Sequence, residues 1–516
     1  MLDPSAFLLR LKNDFGSEKP LLVKAGPLRF YVFADSEQVK TVFRNSKRMT
    51  NKSSTLFALH YLLGLPRSAV NFYQADDSGM SLTPRPGSKT RPENRINFLI
   101  AHNAKVYMSS SHLQTLDELY VAILLRRLDA LDVGDEWVAF PDLHVFLQRI
   151  AMHSSIEALA GSKVLELCPQ LVEDILVFQS YVPDFLHLRP RWLVPEAYRV
   201  RKRILDGFKK WEEHALKHSD CSQVGPEDAE WEPYWGTKLV RVRQQYTRNA
   251  KGMNADARAT ENLGFIFTST TNITTSIFWF ILEALKDPRL FEQLTGEVAQ
   301  CRAGDGNRFN LSKLVTQPLL QSTYAEVLRL YVATAISRVA EYEDIHVAGY
   351  AIPKDSMIIM YSRTMALDSE AWIRAGRRLR KPLEEFDAER FLVSPDWMRP
   401  RANGTSGEKE TTPETGKTAS SSERRFSTEG LLGLWIPYGG GDHICPGRQF
   451  AKHQMLLTFA MLFDKFEIEL ALPDPGRVQP NMRYAPFGAL PPAHDTPFRI
   501  RKRRVSERNA KTKKRG

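Results

Sequence analysis

Cysteine is scarce in this sequence, and its spacing suggests no pairs. The 516 residues contain four cysteines, and no Cys-x-x-Cys motif occurs. This pattern argues against both a disulfide framework and a cysteine-based zinc site. Each thiol therefore stays available for other chemistry, which suits a reducing compartment.

Long hydrophobic runs are also missing. No signal peptide or spanning segment opens the chain, because Met1 leads directly into an amphipathic stretch at residues 5–14. The longest uncharged run, residues 263–282, contains eight threonine, serine or asparagine residues. Such a run makes a poor membrane span, so we predict a buried core helix there.

Acidic residues are nearly absent from the C-terminal end of the chain. From Arg499 onward the sequence has ten Lys or Arg and one Glu, within a net charge of +11. Because no aromatic residue interrupts this run, we do not expect it to bind nucleic acid. We predict that residues 501–516 form a basic disordered tail that can touch the anionic headgroups of a membrane surface.

Apolar periodicity is missing from residues 401–429, which are rich in Ser, Thr, Gly, Lys and Glu. We predict a disordered surface insertion there. Elsewhere apolar residues recur mostly at three and four positions, which is typical of helices, and a few short stretches alternate as strands do. The predicted fold is therefore mainly α with a small β region. The helical pattern covers residues 3–14, 36–45, 110–131, 142–161, 170–181, 196–217, 253–285, 288–301, 317–331 and 447–463, and the alternating pattern covers residues 21–25, 29–34, 346–347 and 357–360.

One cysteine has an unusual setting. Cys445 lies in a glycine-rich segment, residues 437–448, between a strand-like stretch at 434–436 and a helix-like stretch at 449–454. Glycine allows backbone torsions closed to other residues and a close approach to a large flat partner. The arrangement suits a cysteine that binds haem iron from one face, although a buried structural cysteine also fits the pattern.

The same segment resembles the haem-binding loop of the cytochrome P-450 family. The family's pattern is filled by Tyr438, Gly439, Gly441, His443, Cys445 and Gly447, with Tyr for the usual Phe and His for the commoner Arg. The resemblance implies one mainly α unit over residues 1–500, with a long central helix over haem (iron protoporphyrin IX) and the cysteine loop on the opposite face. It also implies that Cys445 is the axial ligand of the iron and that Tyr438, Gly439 and Gly447 help to bind the cofactor.

Glu326 and Arg329 lie three positions apart in an apolar stretch, so they share one helix face. Alone, an exposed pair of this kind is common and weak. The family carries a Glu-x-x-Arg pair upstream of its cysteine loop that is buried with a third arginine. The segment 386–391 resembles the source of that arginine and nominates Arg390, although Ala388 replaces the usual proline. The implied role of this structural triad is to anchor the haem loop, with every donor paired.

The two carboxylates of haem need cationic partners. By resemblance to the family, we expect His443, two residues before the ligand, to contact one of them. Arg338, a few residues past the Glu-x-x-Arg helix, matches a second contact. The aromatic and arginine pair that the family has on the helix after its first substrate loop is not evident in this sequence.

The segment expected over the opposite face of haem departs from the family pattern. The family usually has an acid followed by an alcohol, whereas this chain has Thr271 and Asn272, with no carboxylate between Glu261 and Glu283. Some of these polar side chains can bond back to the helix, but one face must meet haem. Thr271 and Asn272 are therefore the candidate catalytic residues. An asparagine here, followed by an aromatic pair, resembles the branch of prostacyclin synthase and the bile-acid sterol hydroxylases.

By resemblance to the family, the substrate pocket would be lined by residues 64–93, 333–336 and 485–490 and by Phe267, Thr268 and Thr271, which are mostly apolar. The resemblance therefore implies a monooxygenase that inserts one atom of O2 into a lipophilic substrate such as a sterol, terpenoid or polyketide. Electrons would come from an NADPH-dependent flavoprotein reductase at the thiolate face, where Arg448, Lys452 and His453 could meet an acidic partner. The alternatives are a reductase-independent isomerase or dehydratase acting on a peroxide and, in a different class, a non-catalytic haem-binding sensor.

The sequence also leads to expectations about assembly and location. We expect a monomer. Eukaryotic members of the family usually carry an N-terminal membrane helix, and Met1 of this sequence falls at about the first helix of the fold. The resemblance therefore implies the cytosolic face of the endoplasmic reticulum membrane, with a peripheral or cytoplasmic location as the alternative.

Overall fold

The computed structural model describes residues 3–26, 28–303, 308–394 and 424–503. Residues 401–423 of the predicted insertion and residues 504–516 of the predicted tail lie outside this described part. The predictions of disorder for those residues therefore stay predictions.

Helices dominate the described residues, as the apolar periodicity predicts. In chain order they are α1 (Pro4–Phe15), α2 (Ser36–Arg44), α3 (Lys52–Phe57), α4 (Arg67–Ala75), α5 (Ile96–Tyr107), α6 (Ser110–Asp129), α7 (Leu143–Ala160), α8 (Lys163–Leu167), α9 (Leu171–Ser180), α10 (Val182–Leu186), α11 (Pro195–His218), α12 (Lys238–Asn249), α13 (Ala255–Lys286), α14 (Pro288–Ala299), α15 (Leu311–Leu314), α16 (Pro318–Tyr331), α17 (Ser362–Ala366), α18 (Ser369–Arg374) and α19 (Arg448–Lys465). A π-helical segment, Ala58–Leu63, follows α3 directly.

The strands are short and lie mainly in two sheets. In chain order they are β1 (Leu21–Ala25), β2 (Leu28–Phe33), β3 (Val138–Phe140), β4 (Trp231–Glu232), β5 (Gly236–Thr237), β6 (Arg302–Ala303), β7 (Arg308–Phe309), β8 (Val332–Val339), β9 (Ile345–Val347), β10 (Tyr350–Ile352), β11 (Met357–Tyr361), β12 (Leu392–Val393), β13 (Arg425–Phe426), β14 (Phe466–Leu470), β15 (Phe487–Ala489) and β16 (Phe498–Lys502). The larger sheet has the order β1-β2-β11-β8-β15, and a three-stranded sheet has the order β14-β16-β3.

Strand β15 pairs with β8 at the edge of the larger sheet. These strands are antiparallel, and Gly488 lies opposite Ala333. Strand β8 begins directly after α16, so β15 is held close to the C-terminal end of that helix. Strand β15 also contacts α13, so the sheet edge and the longest helix meet here.

Helix α13 is the central helix of the fold. Asn254 caps its first turn by accepting a hydrogen bond from the amide of Ala257 at 2.9 Å. Residues 277–282 are completely buried, and the helix packs against α7, α11, α16 and α19. Among the described helices, α13 alone is long and apolar enough to span a membrane, but 72% of its most apolar window is buried inside the fold. This agrees with the predicted core helix.

Two predicted boundaries were wrong. Residues 424–429, assigned to the insertion, are ordered, because Phe426 packs against the core and β13 pairs with β12. Arg424 also forms an ion pair with Glu389. Likewise the last strand continues past residue 500, because Arg501 donates to Glu467 at 2.8 Å across the sheet. In both places a cross-strand partner far away in the sequence orders a polar stretch.

Candidate active site

The loop that carries Cys445 follows a turn and not the predicted strand. The amides of Leu434 and Trp435 both donate to the carbonyl of Leu431. The indole Nε1 of Trp435 donates to the carbonyl of Ala325 in α16 at 3.0 Å. This anchor for a large aromatic side chain outweighs the local strand propensity.

Backbone contacts shape the cysteine loop. The amide of Cys445 donates to the carbonyl of Tyr438 at 3.0 Å, so the loop closes on itself before α19 begins. Gly441 has a φ of +66°, and a Cβ there would lie 2.6 Å from the carbonyl oxygen of Phe43. A larger residue is excluded by both the torsion and the contact. The loop is therefore pressed against the end of α2.

The sulfur of Cys445 lies at the start of α19 and remains accessible. The residue is exposed, although protein atoms crowd one side of it. That crowding raises the pKa of the Cys445 thiol, while the amide of Gly447 and the charge of Arg448 lower it. A Cβ on Gly447 would stand 4.0 Å from the Cys445 sulfur and 3.6 Å from the sulfur of Met108. An amide and a cation beside one accessible sulfur are suited to a thiolate ligand.

An aromatic contact joins the loop to α16. The hydroxyls of Tyr438 and Tyr324 lie 2.8 Å apart. Burial raises the pKa of Tyr438, and so does the neighbouring Tyr324. Both phenols therefore stay neutral and can share one hydrogen bond next to the cysteine. Gly439, which follows Tyr438, turns the chain with a φ of +71°.

Glu326, Arg329 and Arg390 come together in the interior. Arg329 donates to the Glu326 carboxylate from Nε at 2.7 Å and from a terminal nitrogen at 2.8 Å, and Arg390 Nε donates to the same carboxylate at 2.9 Å. All three side chains are fully buried. The remaining guanidinium donors reach backbone carbonyls, including that of Leu383 at 2.6 Å from Arg329. The amide of Asp387 supplies a further bond to Glu326.

Arg338 and His443 lie close together, and each has a buried nitrogen without a hydrogen-bond partner. Arg338 is 3% exposed, and its terminal nitrogens donate to the carbonyls of Ser337 and Gly440, but its Nε has no partner. His443 Nε2 lies 3.2 Å from the carbonyl oxygen of Met49, and its Nδ1 is also buried without a partner. Burial lowers the pKa of Arg338 to about 10 and that of His443 to about 4, where the charge of Arg338 also contributes.

These two orphaned nitrogens test whether the residues fit haem. A buried polar nitrogen without a partner is costly. The Nε of Arg338 can only donate, so it points to an acceptor such as an anionic group. A nearby anion also favours the protonated form of His443, in which Nδ1 donates as well. The propionates of haem are such anions. The accessible Cys445 sulfur supplies the thiolate ligand that haem iron accepts. The donor set therefore fits haem.

On α13 the accessible face is narrow. Thr268 and Asn272, one turn apart, are exposed in an otherwise buried stretch. Thr271 is 3% exposed, and its hydroxyl donates to the carbonyl of Phe267 at 2.8 Å. Thr271 thus lies off this face and its proton is engaged with the helix. Asn272 accepts a hydrogen bond from the amide of Ala489 at 3.0 Å.

The nearest carboxylates of α13 are engaged elsewhere. Glu261 accepts hydrogen bonds from Tyr73 and from Arg243, inside a cluster in which all three side chains are buried. Glu283, about three turns beyond the candidate residues, accepts from Tyr331 and pairs with Lys286. Neither acid is left free to serve the accessible face around Asn272.

The cations predicted to meet a partner mostly have internal contacts. Arg448 donates to the carbonyl of Cys445 at 3.2 Å. Lys452 donates to Gln321 at 3.2 Å, and His453 pairs with Asp117 at 2.6 Å. The sequence could not reveal these partners, because they come from other helices.

The sequence also gave no signal for three other residues at the site. Ala489 acts through its backbone amide, which every residue type but proline possesses. Tyr324 belongs to a helical stretch and Met108 directly follows α5, and nothing in their spacing separates them from core residues.

Comparison with known proteins agrees with this geometry. A family profile described as Cytochrome P-450 matches residues 146–492. The chain is 31% identical to Cytochrome P-450 monooxygenase efuG of Hormonema carpetanum, covering 98% of this chain and 87% of that protein. It is also 31% identical to Cytochrome P-450 monooxygenase fsoE of Humicola fuscoatra, covering 98% and 85%. Cholesterol 7-alpha-monooxygenase of Cricetulus griseus is 23% identical over 82% of this chain and 77% of that protein.

The chain belongs to the cytochrome P-450 family. The predicted family, the mainly α fold with a long central helix over haem and the cysteine loop opposite, and the haem cofactor are confirmed. The protein is an oxidoreductase of the monooxygenase class, which works with O2, a redox partner and a small-molecule substrate. The distant match to a cholesterol hydroxylase agrees with the predicted resemblance to the bile-acid branch.

Proposed function

We propose that this enzyme inserts one atom of O2 into a lipophilic molecule of the sterol, terpenoid or polyketide type. It acts as a monomer and takes electrons from an NADPH-dependent flavoprotein reductase. The observation that carries the proposal is the accessible sulfur of Cys445, at the start of a helix and beside an amide and a cation. A thiolate ligand gives haem iron the electron density that favours cleavage of the O–O bond.

Each loop residue has a distinct part in this proposal. Cys445 binds the iron, and Arg338 binds a propionate through its Nε, which lacks a protein partner. His443 binds the second propionate in its protonated form, in which both ring nitrogens donate. Gly439 and Gly447 keep the proximal surface flat. The tyrosine that precedes Gly439 fixes the loop to α16 through its hydroxyl. The buried Glu326 triad holds this whole arrangement rigid before the cofactor binds.

On the α13 side of the site, opposite Cys445, a single polar side chain is surrounded by apolar ones in this proposal. Asn272 is the polar residue that faces a substrate in this proposal, and Thr271 orders the helix through its bond to Phe267. The ring of Phe267 packs edge-on against Phe178, with centroids 5.3 Å apart. Such a surface favours a lipophilic substrate, and one relative is named for cholesterol.

The reductase would dock on the face that carries the thiolate. Arg448 and Lys452 lie on the first turns of α19 beside Cys445, half-buried by their internal contacts. Their role is then to supply a positive field that attracts an acidic partner, because long-range steering does not require a free side chain.

We further propose that the protein lies on the cytosolic face of the endoplasmic reticulum membrane. The turn between α10 and α11 exposes three large apolar side chains: Leu188 is 51% exposed, Trp192 80% and Leu193 52%. Arg191 adjoins them. An indole and leucines beside a cation are typical of a surface that enters the headgroup region without spanning the bilayer.

A second candidate is an isomerase or dehydratase that rearranges a peroxide without a reductase. The observation that favours it is the engagement of Glu261 and Glu283 in buried networks, which leaves the accessible face of α13 without a carboxylate. A peroxide rearrangement needs no proton delivery from such an acid. A non-catalytic sensor has no comparable observation in its favour.

One experiment separates the two enzyme activities. The haem-loaded protein is incubated with a sterol and terpenoid panel, chosen by spin-state change on binding, together with a flavoprotein reductase, NADPH and 18O2. The proposal predicts NADPH-dependent product that carries one labelled oxygen atom. Unlabelled product from an organic peroxide without NADPH would contradict it and support the isomerase.

A further inference from the structure

A hydrogen bond joins α13 to β15. Asn272 Oδ1 on α13 accepts it from the amide of Ala489 at 3.0 Å, across 217 residues of sequence. Gly488 comes immediately before that donor and has a φ of +138°. A Cβ on Gly488 would lie 2.4 Å from Asn272 Oδ1. Both its torsion and this contact therefore require glycine.

This bond fixes which end of the carboxamide points into the site. The backbone N–H of Ala489 can only donate, so the oxygen of Asn272 must face it. A flipped carboxamide would set two donors against each other, so the usual ambiguity between amide oxygen and nitrogen does not arise here. The Asn272 Nδ2 is left without a hydrogen-bond partner among the described residues, on a side chain that is exposed.

The hydroxyls of the neighbouring threonines have no proton to offer. Thr268, one turn earlier, donates to the carbonyl of Gly264 at 2.7 Å. Thr271 donates to the carbonyl of Phe267. Each hydroxyl has a single proton, so both threonines can only accept further bonds. Asn272 therefore differs from its neighbours in presenting free N–H donors with a fixed direction.

We propose that the Gly488–Ala489 segment of β15 is a positioning element that holds Asn272 as a hydrogen-bond donor, and never as an acceptor, toward an oxygen atom on the distal side of haem. The inference rests on the proposed haem-thiolate function. The oxygen can belong to a diatomic ligand or to a carbonyl or hydroxyl of the substrate, and both are acceptors. A site of this kind selects substrates that carry an acceptor oxygen next to the position that reacts.

The first arm of the test measures the C–O stretching frequency of the reduced CO complex without substrate. Asn272→Asp is the decisive variant, because one carboxylate oxygen can still accept from Ala489 while the other replaces the N–H donors with an acceptor. A donor that reaches the ligand oxygen lowers the frequency, so Asn272→Asp and Asn272→Leu should both raise it. Gly488→Ala should shift or split the band, because it displaces the carboxamide.

The matched control for Gly488→Ala is Gly349→Ala. Gly349 also has a positive φ, of +83°, but no atom lies within 4 Å of a Cβ placed there. It therefore carries the torsional cost without the contact to Asn272, and its C–O band should match that of the unmodified protein. If Gly488→Ala does not fold, Asn272→Asp still decides the question.

The second arm identifies a substrate oxygen as the acceptor. Spectral titration compares 2-adamantanone with adamantane, two rigid probes that differ by one carbonyl. A donor to the substrate makes the ketone bind preferentially, and Asn272→Leu should reduce that preference about fivefold. A shift in either arm supports the proposal and names the source of the oxygen. Unchanged frequencies together with an unchanged ketone preference would overturn it.

Failure of this inference can be told apart from failure of the proposed function. The position of the visible CO absorption band reports whether a thiolate binds the iron in every variant. The C–O stretch and the ketone preference report on Asn272 alone. A normal band with unaltered frequencies would reject the donor role and leave the haem-thiolate assignment intact.

Discussion

Arg390 Nε lies 2.9 Å from Oε1 of Glu326, a residue 64 positions earlier in the chain, and solvent reaches neither side chain. The same carboxylate accepts two bonds from Arg329. A buried charge is tolerated only when its partners are all present, so each member of the triad depends on the other two. Through α16, which also contacts Trp435 and Tyr438, the triad is mechanically linked to the cysteine loop.

Glu326→Gln should therefore be strongly destabilising. It leaves two buried guanidinium groups without a counter-charge, and we expect a loss of about 3–5 kcal/mol in the free energy of unfolding. Chemical denaturation of the haem-loaded protein measures this loss. Glu370→Gln, which breaks the exposed pair with Arg374, is the control and should have little effect. Similar stability of the two variants would reject the anchoring role of Glu326.

Arg338→Leu should weaken the retention of haem. Its Nε has no protein partner, and loss of one charged hydrogen bond of ~1.5–3 kcal/mol corresponds to haem release about tenfold faster or more. Transfer of haem to excess apomyoglobin measures the rate. Arg377→Leu removes another buried arginine whose pKa is lowered to about 10 by burial, and it should leave the rate unchanged. Equal rates in the two variants would contradict the proposed propionate contact.

Much of this architecture could be predicted from the sequence, but its long-range contacts could not. Helix α13 was predicted within two residues at each end, because apolar periodicity marks it. Helix α12 was missed, since Lys238, Arg241 and Arg243 are all buried and hide its amphipathic pattern. Strand β8 was missed because it follows α16 without a turn residue.

At the site, only residues with a distinctive side chain at a fixed spacing could be predicted from the sequence. Cys445 and the Glu-x-x-Arg pair are rare chemical groups at fixed spacing, so they stand out. The bond from Ala489 to Asn272 involves a backbone donor 217 residues away, which no local pattern encodes. The same holds for the back-bond of Thr271, since only the helix geometry shows where its hydroxyl points.

Stability should fall below neutral pH because of His144. This residue is buried in α7, and desolvation lowers its pKa to about 3, against about 6.5 in an unfolded chain. Between pH 6.5 and pH 3 the unfolded state binds a proton at His144 and the folded state does not. The free energy of unfolding therefore falls by up to about 1.4 kcal/mol for each pH unit below about 6.5. Above that pH the contribution of the neutral His144 to stability is fully present.

His144→Gln should flatten this dependence. Denaturation midpoints between pH 7 and pH 5 should fall less in His144→Gln than in the unmodified protein. The exposed His346 offers a control, and His346→Gln should keep the full slope. Equal slopes in all three proteins would show that His144 does not carry the effect.

Trp192→Ser should weaken binding to membranes. Trp192 is 80% exposed beside Leu193, and its loss removes the largest apolar group of that turn. Co-sedimentation with phosphatidylcholine and phosphatidylserine vesicles should show a several-fold smaller bound fraction. Ile373→Ser is the control, because Ile373 is 60% exposed on a different helix, α18. If both substitutions reduce binding equally, the turn is not the contact surface.

The absorption of the reduced CO complex tests the assignment of Cys445 most directly. A thiolate opposite the CO moves the main haem band far to the red of its position with a neutral ligand. The account predicts this displaced band in the unmodified protein and in Cys168→Ser, and its loss in Cys445→Ser. A displaced band that persists in folded, haem-loaded Cys445→Ser would contradict the central claim, as would its absence from the unmodified protein.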